Sequence, residues 1–290
     1  MVSNSAILKT LIYSDIFAYP LTKEEIWKFL IGAKIGRASF EKMFKFPPGR
    51  WERKYGYYFL LGREEIVRKR IQRKEISQEK INIAKKIVKK LSVIPTVLFI
   101  GISGGLALEN SDEKDDIDLF VITSKNTLWI TRLLLVVFLI IMGQYRGRGK
   151  KESQKICLNM LIDEKALTFE KSRQDLYTAH EIAQLKPIFD RNNTYSKFLS
   201  ANKWVVKFLP NSVEGIKNHE SRIMQKEKPL FVFHYSLFIL NKFAKFLQLL
   251  YMREHRANET INDKMLAFHP FEYKDYVLKE YNKRLNKYEI

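Results

Sequence analysis

Residues 96–122 read TVLFIGISGGLALENSDEKDDIDLFVI, and the folding of this stretch decides the rest of the chain. An apolar run, 96–102, ends in the turn Ser103-Gly104-Gly105, and a second apolar run opens with Asp116-Ile117-Asp118. Short β-branched and aromatic runs bounded by glycines and acids read as buried strands, and GLALEN between them starts a short helix. Side chains alternate along a strand, so Asp116 and Asp118 share one face while Ile117 takes the other. Two carboxylates held side by side repel unless a cation sits between them. The stretch therefore predicts a sheet whose edge carries paired carboxylates facing a glycine turn.

Working outward, Thr127–Met142 reads as a helix, KICLNMLI (155–162) as a strand, and Arg173–Leu185 as a helix ending at Pro187. Strands separated by helices predict an α/β (α+β) fold, a mixed sheet covered by helices, over residues 95–190. Upstream, Ile7, Leu8, Leu11, Ile12 and Ile16 lie on one helical face, and Thr22 with Glu25 forms a capping box opening a second helix through Ile31. A third helix is expected over Arg37–Phe44. Pro47, Pro48 and Gly49 then turn the chain into the aromatic hairpin RWERKYGYYFLLG. Three helices and a basic hairpin resemble a winged helix over 1–62. In that reading Lys34, Arg37 and Lys42 face DNA or RNA, and Arg50, Arg53 and Lys54 decorate the wing; a protein-docking module with solvated lysines is the alternative. Residues 63–94 contain no Pro after Arg63 and read as a linking helix, single or broken near Ser77, up to the strand that follows Pro95. Beyond 191 the pattern is helical and basic, with turns at Pro210-Asn211 and His269-Pro270.

The formal charge is +19, distributed as +12 over 1–94, −1 over 95–190 and +8 over 191–290. A near-neutral centre flanked by positive segments suits a polyanion such as nucleic acid, or it keeps a lysine-rich chain in solution. Cys157 is the single cysteine, so the chain can form no internal disulfide, which fits a reducing compartment. The first residues lack the basic lead and long apolar core of a signal peptide, and a cytoplasmic location is expected. Arg132 leaves only 133–142 as uninterrupted apolar sequence, about half of the ~20 residues a bilayer span needs, so a buried helix is expected over 128–142, with a membrane-associated segment as the alternative. Residues 229–251 are interrupted by His234, Asn241, Lys242, Lys245 and Gln248 and read as an amphipathic helix.

Glycines at a strand-to-helix turn admit a phosphate close to the backbone, and same-face carboxylates hold hard divalent cations through oxygen. The combination resembles the DNA polymerase β-type nucleotidyltransferases, whose signature is a Gly-Ser turn followed about a dozen residues later by Asp-x-Asp on a strand. Here the step from Gly104 to Asp116 is 12, and the resemblance covers about 95–165. It implies NMP transfer from an NTP to an acceptor, with Ser103, Gly104 and Gly105 facing the triphosphate and two magnesium ions on Asp116 and Asp118. The signature Ser position is Gly105. A third carboxylate on a later strand is implied; Asp163 is the candidate, with Asn159 the competing occupant and a catalytically impaired, nucleic-acid-binding regulator as its consequence.

Other readings of the same residues stay open. Asp112, Asp115, Asp116 and Asp118 offer the ligands of a calcium loop, but the spacing, the central Gly and the terminal Glu of an EF-hand are missing. Gly101-Ile102-Ser103-Gly104-Gly105 matches the hydrolase string Gly-x-Ser-x-Gly, with His180, His234 and His269 as available bases. A glycine turn beside a solvated acidic loop is the bland alternative. Tyr177, His180, Glu181 and Gln184 share one helical face that either lines the cleft or meets solvent. Arg146 and Arg148 lie in a glycine-rich stretch that would reach phosphates or remain a loop.

Overall fold

A computed structural model describes residues 4–43, 49–146, 153–212, 224–226, 234–253, 260–268 and 271–290. The N-terminal unit begins with α1 (Asn4–Asp15), whose residues Ile7, Leu8, Leu11 and Ile12 are buried. Strand β1 (Leu21–Thr22) leads into α2 (Lys23–Lys28) through the expected capping box. The Thr22 hydroxyl accepts from the Glu25 amide at 3.2 Å, and the Glu25 carboxylate accepts from the Thr22 amide at 2.8 Å. Helix α2 stops at Lys28, a turn earlier than the capping pattern suggested. After α3 (Arg37–Met43), the strands β2 (Trp51–Lys54) and β3 (Tyr57–Leu60) form a hairpin. Tyr55 and Gly56 turn it with φ of 50° and 82°, the left-handed pair that a tight hairpin requires. The three strands lie antiparallel in the order β1-β3-β2. The prolines of the expected turn at 47–48 fall outside the described residues.

Helix α4 (Glu65–Leu91) is a single unbroken rod. Ser77 is not a joint: it is buried, and its Oγ accepts from the Ser111 amide at 3.1 Å. Three turns of α4 grip the central unit. Arg70 bonds the Leu108 and Glu109 carbonyls, Arg73 holds Asp112 at 2.7 Å, and the buried Lys80 ammonium donates to Ser111 Oγ at 3.1 Å and to the Asp115 carbonyl at 2.7 Å. A buried ammonium is tolerable only when its protons are all spent in this way.

The central sheet contains β4 (Val97–Ile102), β5 (Ile117–Thr123), β6 (Ile156–Asp163), β7 (Lys186–Arg191), β8 (Met224–Lys226), β9 (Thr260–Ile261) and β10 (Met265–Ala267). Their order is β8-β7-β4-β5-β6-β10-β9, mixed in direction: β5 and β6 are parallel, while β4 runs antiparallel to both β5 and β7. The single turn α5 (Gly104–Ala107) follows β4, and α6 (Leu128–Ile141) makes the crossover from β5 to β6. The other helices are α7 (Leu176–Gln184), α8 (Thr194–Ala201), α9 (His234–Arg253) and α10 (Phe271–Lys287).

Alternation along the strands builds two cores. Phe99, Phe120, Ile122 and Ile162 face the N-terminal unit, α7, α8 and α10, while Ile100, Ile102, Leu119 and Val121 face α4, α6 and α9. The first core is continuous from α1 to α10, where Tyr13 meets Tyr281 edge-on at 5.5 Å and Arg284 binds Asp15 at 2.6 Å. The expectation of a purely helical segment after 191 is corrected, because β8, β9 and β10 from that segment extend the sheet at both edges. The LKPIFD segment is β7 rather than a helix end: Pro187 sits where the register of β4 and β7 shifts, at a bulge that asks for no amide hydrogen. Among the described residues no helix is long and apolar enough to cross a membrane.

Candidate functional site

Ser103, Gly104, Asp116, Asp118 and Cys157 meet where β4 ends and β5 and β6 begin. The Ser103 amide donates to the Asp118 carbonyl at 3.0 Å, which fastens the glycine turn to the strand carrying the acids. Gly104 has φ of +64°, and a Cβ built there would lie 3.2 Å from Asp118 Oδ2. Glycine is thus required twice, for the backbone conformation and to leave that carboxylate oxygen uncovered. At Gly105 a Cβ would stand 3.4 Å from the Asn110 carbonyl, so a small side chain fits only tightly. The helix expected after the turn is one turn long.

Asp116 and Asp118 do share a face. Their carboxylates and the Cys157 thiol present ligand atoms all within 4.8 Å of one another, since Cys157 lies opposite Asp118 in the parallel register of β5 and β6. Burial first, and the neighbouring Asp116 carboxylate second, raise the Asp118 carboxyl to about 7. The Cys157 thiol is pushed up by burial and by both aspartates, so it stays protonated and serves Asp118 as a hydrogen-bond partner. The Arg146 guanidinium makes an ion pair with Asp116. Arg148 lies outside the described residues.

Asp163 does not join the pair. It ends β6 opposite Thr123, six residues beyond Cys157, or roughly 20 Å at about 3.3 Å per residue. Both its oxygens are spent on backbone amides, Oδ2 accepting from Asn126 at 2.6 Å and Oδ1 from Lys165 at 3.0 Å. It is a capping residue for the turn at Glu164–Ala166. Asn159 is buried on the same face as Cys157 and donates to Ser103 Oγ at 3.2 Å. The position beside Asp118 therefore belongs to Cys157, which had no assigned role in the sequence. Its signal was present in KICLNMLI, where residues 157 and 159 alternate onto the face of 116 and 118 once the two strands are aligned at their starts.

The loop before Asp116 is held by its own partners rather than by a calcium geometry. Asp112 is paired with Arg73, and Asp115 accepts from the Asp112 amide at 2.8 Å. Among the described residues, Asp116, Asp118 and Cys157 form the one group with metal-ligand spacing. The hydrolase arrangement is not formed by His180: its Nδ1 bonds Gln184 at 3.0 Å, its Nε2 is unpartnered, and Ser103 Oγ is bonded by Asn159.

Tyr177, His180, Glu181 and Gln184 from α7 all line a cavity of about 300 Å³ whose opposite wall is Gly104, Gly105 and Asp118. The N-terminal unit closes it with Tyr13, Phe17 and Phe29. The Tyr13 and His180 rings stack at 4.1 Å, and burial lowers His180 to about 3, so the imidazole is neutral. Tyr177 and Glu181 also line a smaller apolar cavity beside Ser103, Asn159, Phe120 and Phe198. The polar stripe of α7 thus faces the interior of the cleft.

The six basic residues of the N-terminal unit divide. Arg37 forks onto Glu24 with two bonds of 2.6 Å and lies over Trp27, Lys54 pairs with Glu64, and Arg50 donates to the Tyr288 carbonyl at 2.9 Å. Lys34, Lys42 and Arg53 are exposed, the last over the Tyr58 ring. No family model matches the chain, and neither does any curated protein or solved structure.

Proposed function

We propose that the chain is a nucleotidyltransferase of the DNA polymerase β type, moving an NMP from an NTP to an acceptor. The observation that carries this reading is the Asp116–Asp118 pair, with Asp118 facing the Gly104 turn and lining a cavity of about 300 Å³. The two carboxylates, though not the protonated Cys157 thiol, fit a hard divalent cation such as magnesium, which is commonly held by one or two carboxylates together with substrate phosphates. Bound there, the cation would neutralise the charge of the triphosphate. Gly104 leaves the backbone bare beside Asp118, where a phosphate oxygen could approach. The acceptor hydroxyl attacks the α-phosphorus, the bond to the bridging oxygen of the β-phosphate breaks, and pyrophosphate leaves. With Asp163 committed elsewhere, Glu181 on the cavity wall is the carboxylate that takes the acceptor proton.

The N-terminal unit, with its helix-strand-helix-helix-hairpin order, is read as a winged helix that brings the acceptor, DNA or RNA, through Lys34, Lys42 and Arg53. The test is incubation with α-labelled NTPs and magnesium. Label transfer with pyrophosphate release, lost in Asp116→Ala/Asp118→Ala, supports the reading; transfer that survives the double variant sinks it.

One observation favours a second reading. A thiol stands at the position beside the pair, and Arg146 rests on Asp116. A site of that kind holds a nucleotide without turning it over, and the chain would then be a nucleic-acid-binding regulator. Salt-sensitive DNA or RNA binding without any transfer product would distinguish it.

A further inference from the structure

Helix α9 turns the larger part of its apolar surface outward, unlike a surface helix of a globular protein. Its inward side is mixed: Ala244 and Met252 are buried in the core, Asn241 Oδ1 accepts from the Trp129 and Ile130 amides at 2.9 and 3.0 Å, and Gln248 Nε2 donates to the Trp129 carbonyl at 2.8 Å. Arg132 completes the contact by donating to Gln248 Oε1. These bonds satisfy the first turn of α6 and fix the roll of α9 about its axis. The outward side is apolar. Ile239, Phe243, Phe246, Leu250 and Tyr251 are each more than half exposed.

Among the described residues, eight large apolar side chains on α9 and three on α6, Val137, Ile140 and Ile141, stand at least 40% exposed. At roughly 100 Å² apiece, about half of what an aromatic ring can bury, they amount to about 1,000 Å². Monomeric proteins rarely leave more than about 300–600 Å² in one such patch. At 100° per residue the exposed apolar positions from 239 to 251 sweep an arc of about 140°, broader than the two-position seam of a paired coiled coil.

Charge identifies the occupant. Neither helix contains an Asp or Glu; their charged residues are Arg132, Lys242, Lys245 and Arg253. Lys242 is exposed beside the Phe238 ring at 4.5 Å, and Lys245 is held by Asp263. The sequence that follows α6 carries Arg148, Lys150 and Lys151 and is basic as well. A second copy would set cations against cations with no carboxylate on either helix to answer them. An anionic lipid layer offers hydrocarbon, which asks for no hydrogen bonds, and phosphates, which ask for cations.

We propose that the outer face of α9, together with the end of α6, docks in the plane of an anionic membrane surface. The helix lies in the interface and does not span it, which agrees with the absence of a span among the described helices. The site at Asp116 and Asp118 is not needed for this contact, so the proposal stands or falls apart from the transferase reading.

The test is co-sedimentation of the full chain with vesicles of phosphatidylcholine containing phosphatidylglycerol, against vesicles of phosphatidylcholine alone. The wild type is expected to pellet with the anionic vesicles, less so in high salt. Phe243→Ser/Phe246→Ser should lower partitioning at least tenfold, and Lys242→Glu several-fold, with thermal unfolding unchanged because all three side chains are outside the core. Equal binding to neutral vesicles, or none to either, overturns the proposal. So does a dimer in light scattering that the double phenylalanine variant splits while vesicle binding is absent, since the face would then belong to a second copy.

Discussion

Strands β5 and β6 carry aspartates at both ends, and the two ends treat them in opposite ways. At the far end Asp163 is buried against two backbone amides that occupy both its oxygens. At the near end Asp116 and Asp118 are crowded together beside a thiol, and among the described residues no backbone amide answers their charge. The first arrangement is complete in itself and serves the turn that it caps. The second holds like charges at a cost, with Arg146 as their cation. Chemical type and strand position are alike at the two ends, so the satisfaction of the oxygens is what sets the capping acid apart from the pair proposed as the site.

The sharpest way to break this contrast is to remove one acid at each end. Asp118→Asn should reduce NMP transfer by about 100-fold or more, the size of a lost charge-positioning group in a phosphoryl site, and leave the fold intact. Asp163→Ala should cost about 2–3 kcal/mol of stability by orphaning two amides, while the transfer rate per folded molecule stays near that of wild type. Transfer assays and denaturant titrations of both variants settle which end is which.

The pH dependence of stability separates two groups on the same cavity by sign. His180 titrates at about 3 in the fold against 6.5 in the unfolded chain, so its stabilisation is present above 6.5 and is lost as pH falls toward 3. The loss is on the order of 4 kcal/mol, and His180→Asn should flatten that acid limb in thermal melts. Asp118 runs the other way. Its folded carboxyl titrates at about 7 against 3.8, so a penalty develops as pH rises from about 4 to 7. That penalty is on the order of 2–3 kcal/mol after allowance for its partial exposure to the cavity. Asp118→Asn should melt higher than wild type at pH 8, and manganese should close the gap only in the wild type. The smallest effect is expected at the turn: Gly104→Ala should cost about 1 kcal/mol from its positive φ and move the Asp118 carboxylate, seen as a raised KM for NTP with modest change in kcat.

How much of this was legible beforehand depended on whether a feature was local. The strands around Ser103-Gly104-Gly105 and Asp116-Ile117-Asp118 follow from alternation, and α2 from the Thr22–Glu25 box, because each is written within a few neighbouring residues. The α7 stripe was also readable as a face, although its direction was not. Spacing alone offers Asp163 as a third carboxylate and gives Cys157 no role, because the register between β5 and β6 is set across a crossover helix, beyond the reach of spacing. Strands β8, β9 and β10 are two or three residues long and carry no periodicity, and Pro187 disguised β7 as a helix end. That the wider apolar side of α9 faces outward could not be read from its pattern, since periodicity shows that two faces differ and not which one meets the core.

The most direct test of the account is manganese binding measured by electron paramagnetic resonance in the presence of a non-hydrolysable NTP analogue. The account predicts a bound manganese signal that appears with wild type and Asp163→Ala and vanishes with Asp116→Ala/Asp118→Ala. A signal that persists without the aspartate pair, or depends on Asp163, would contradict it.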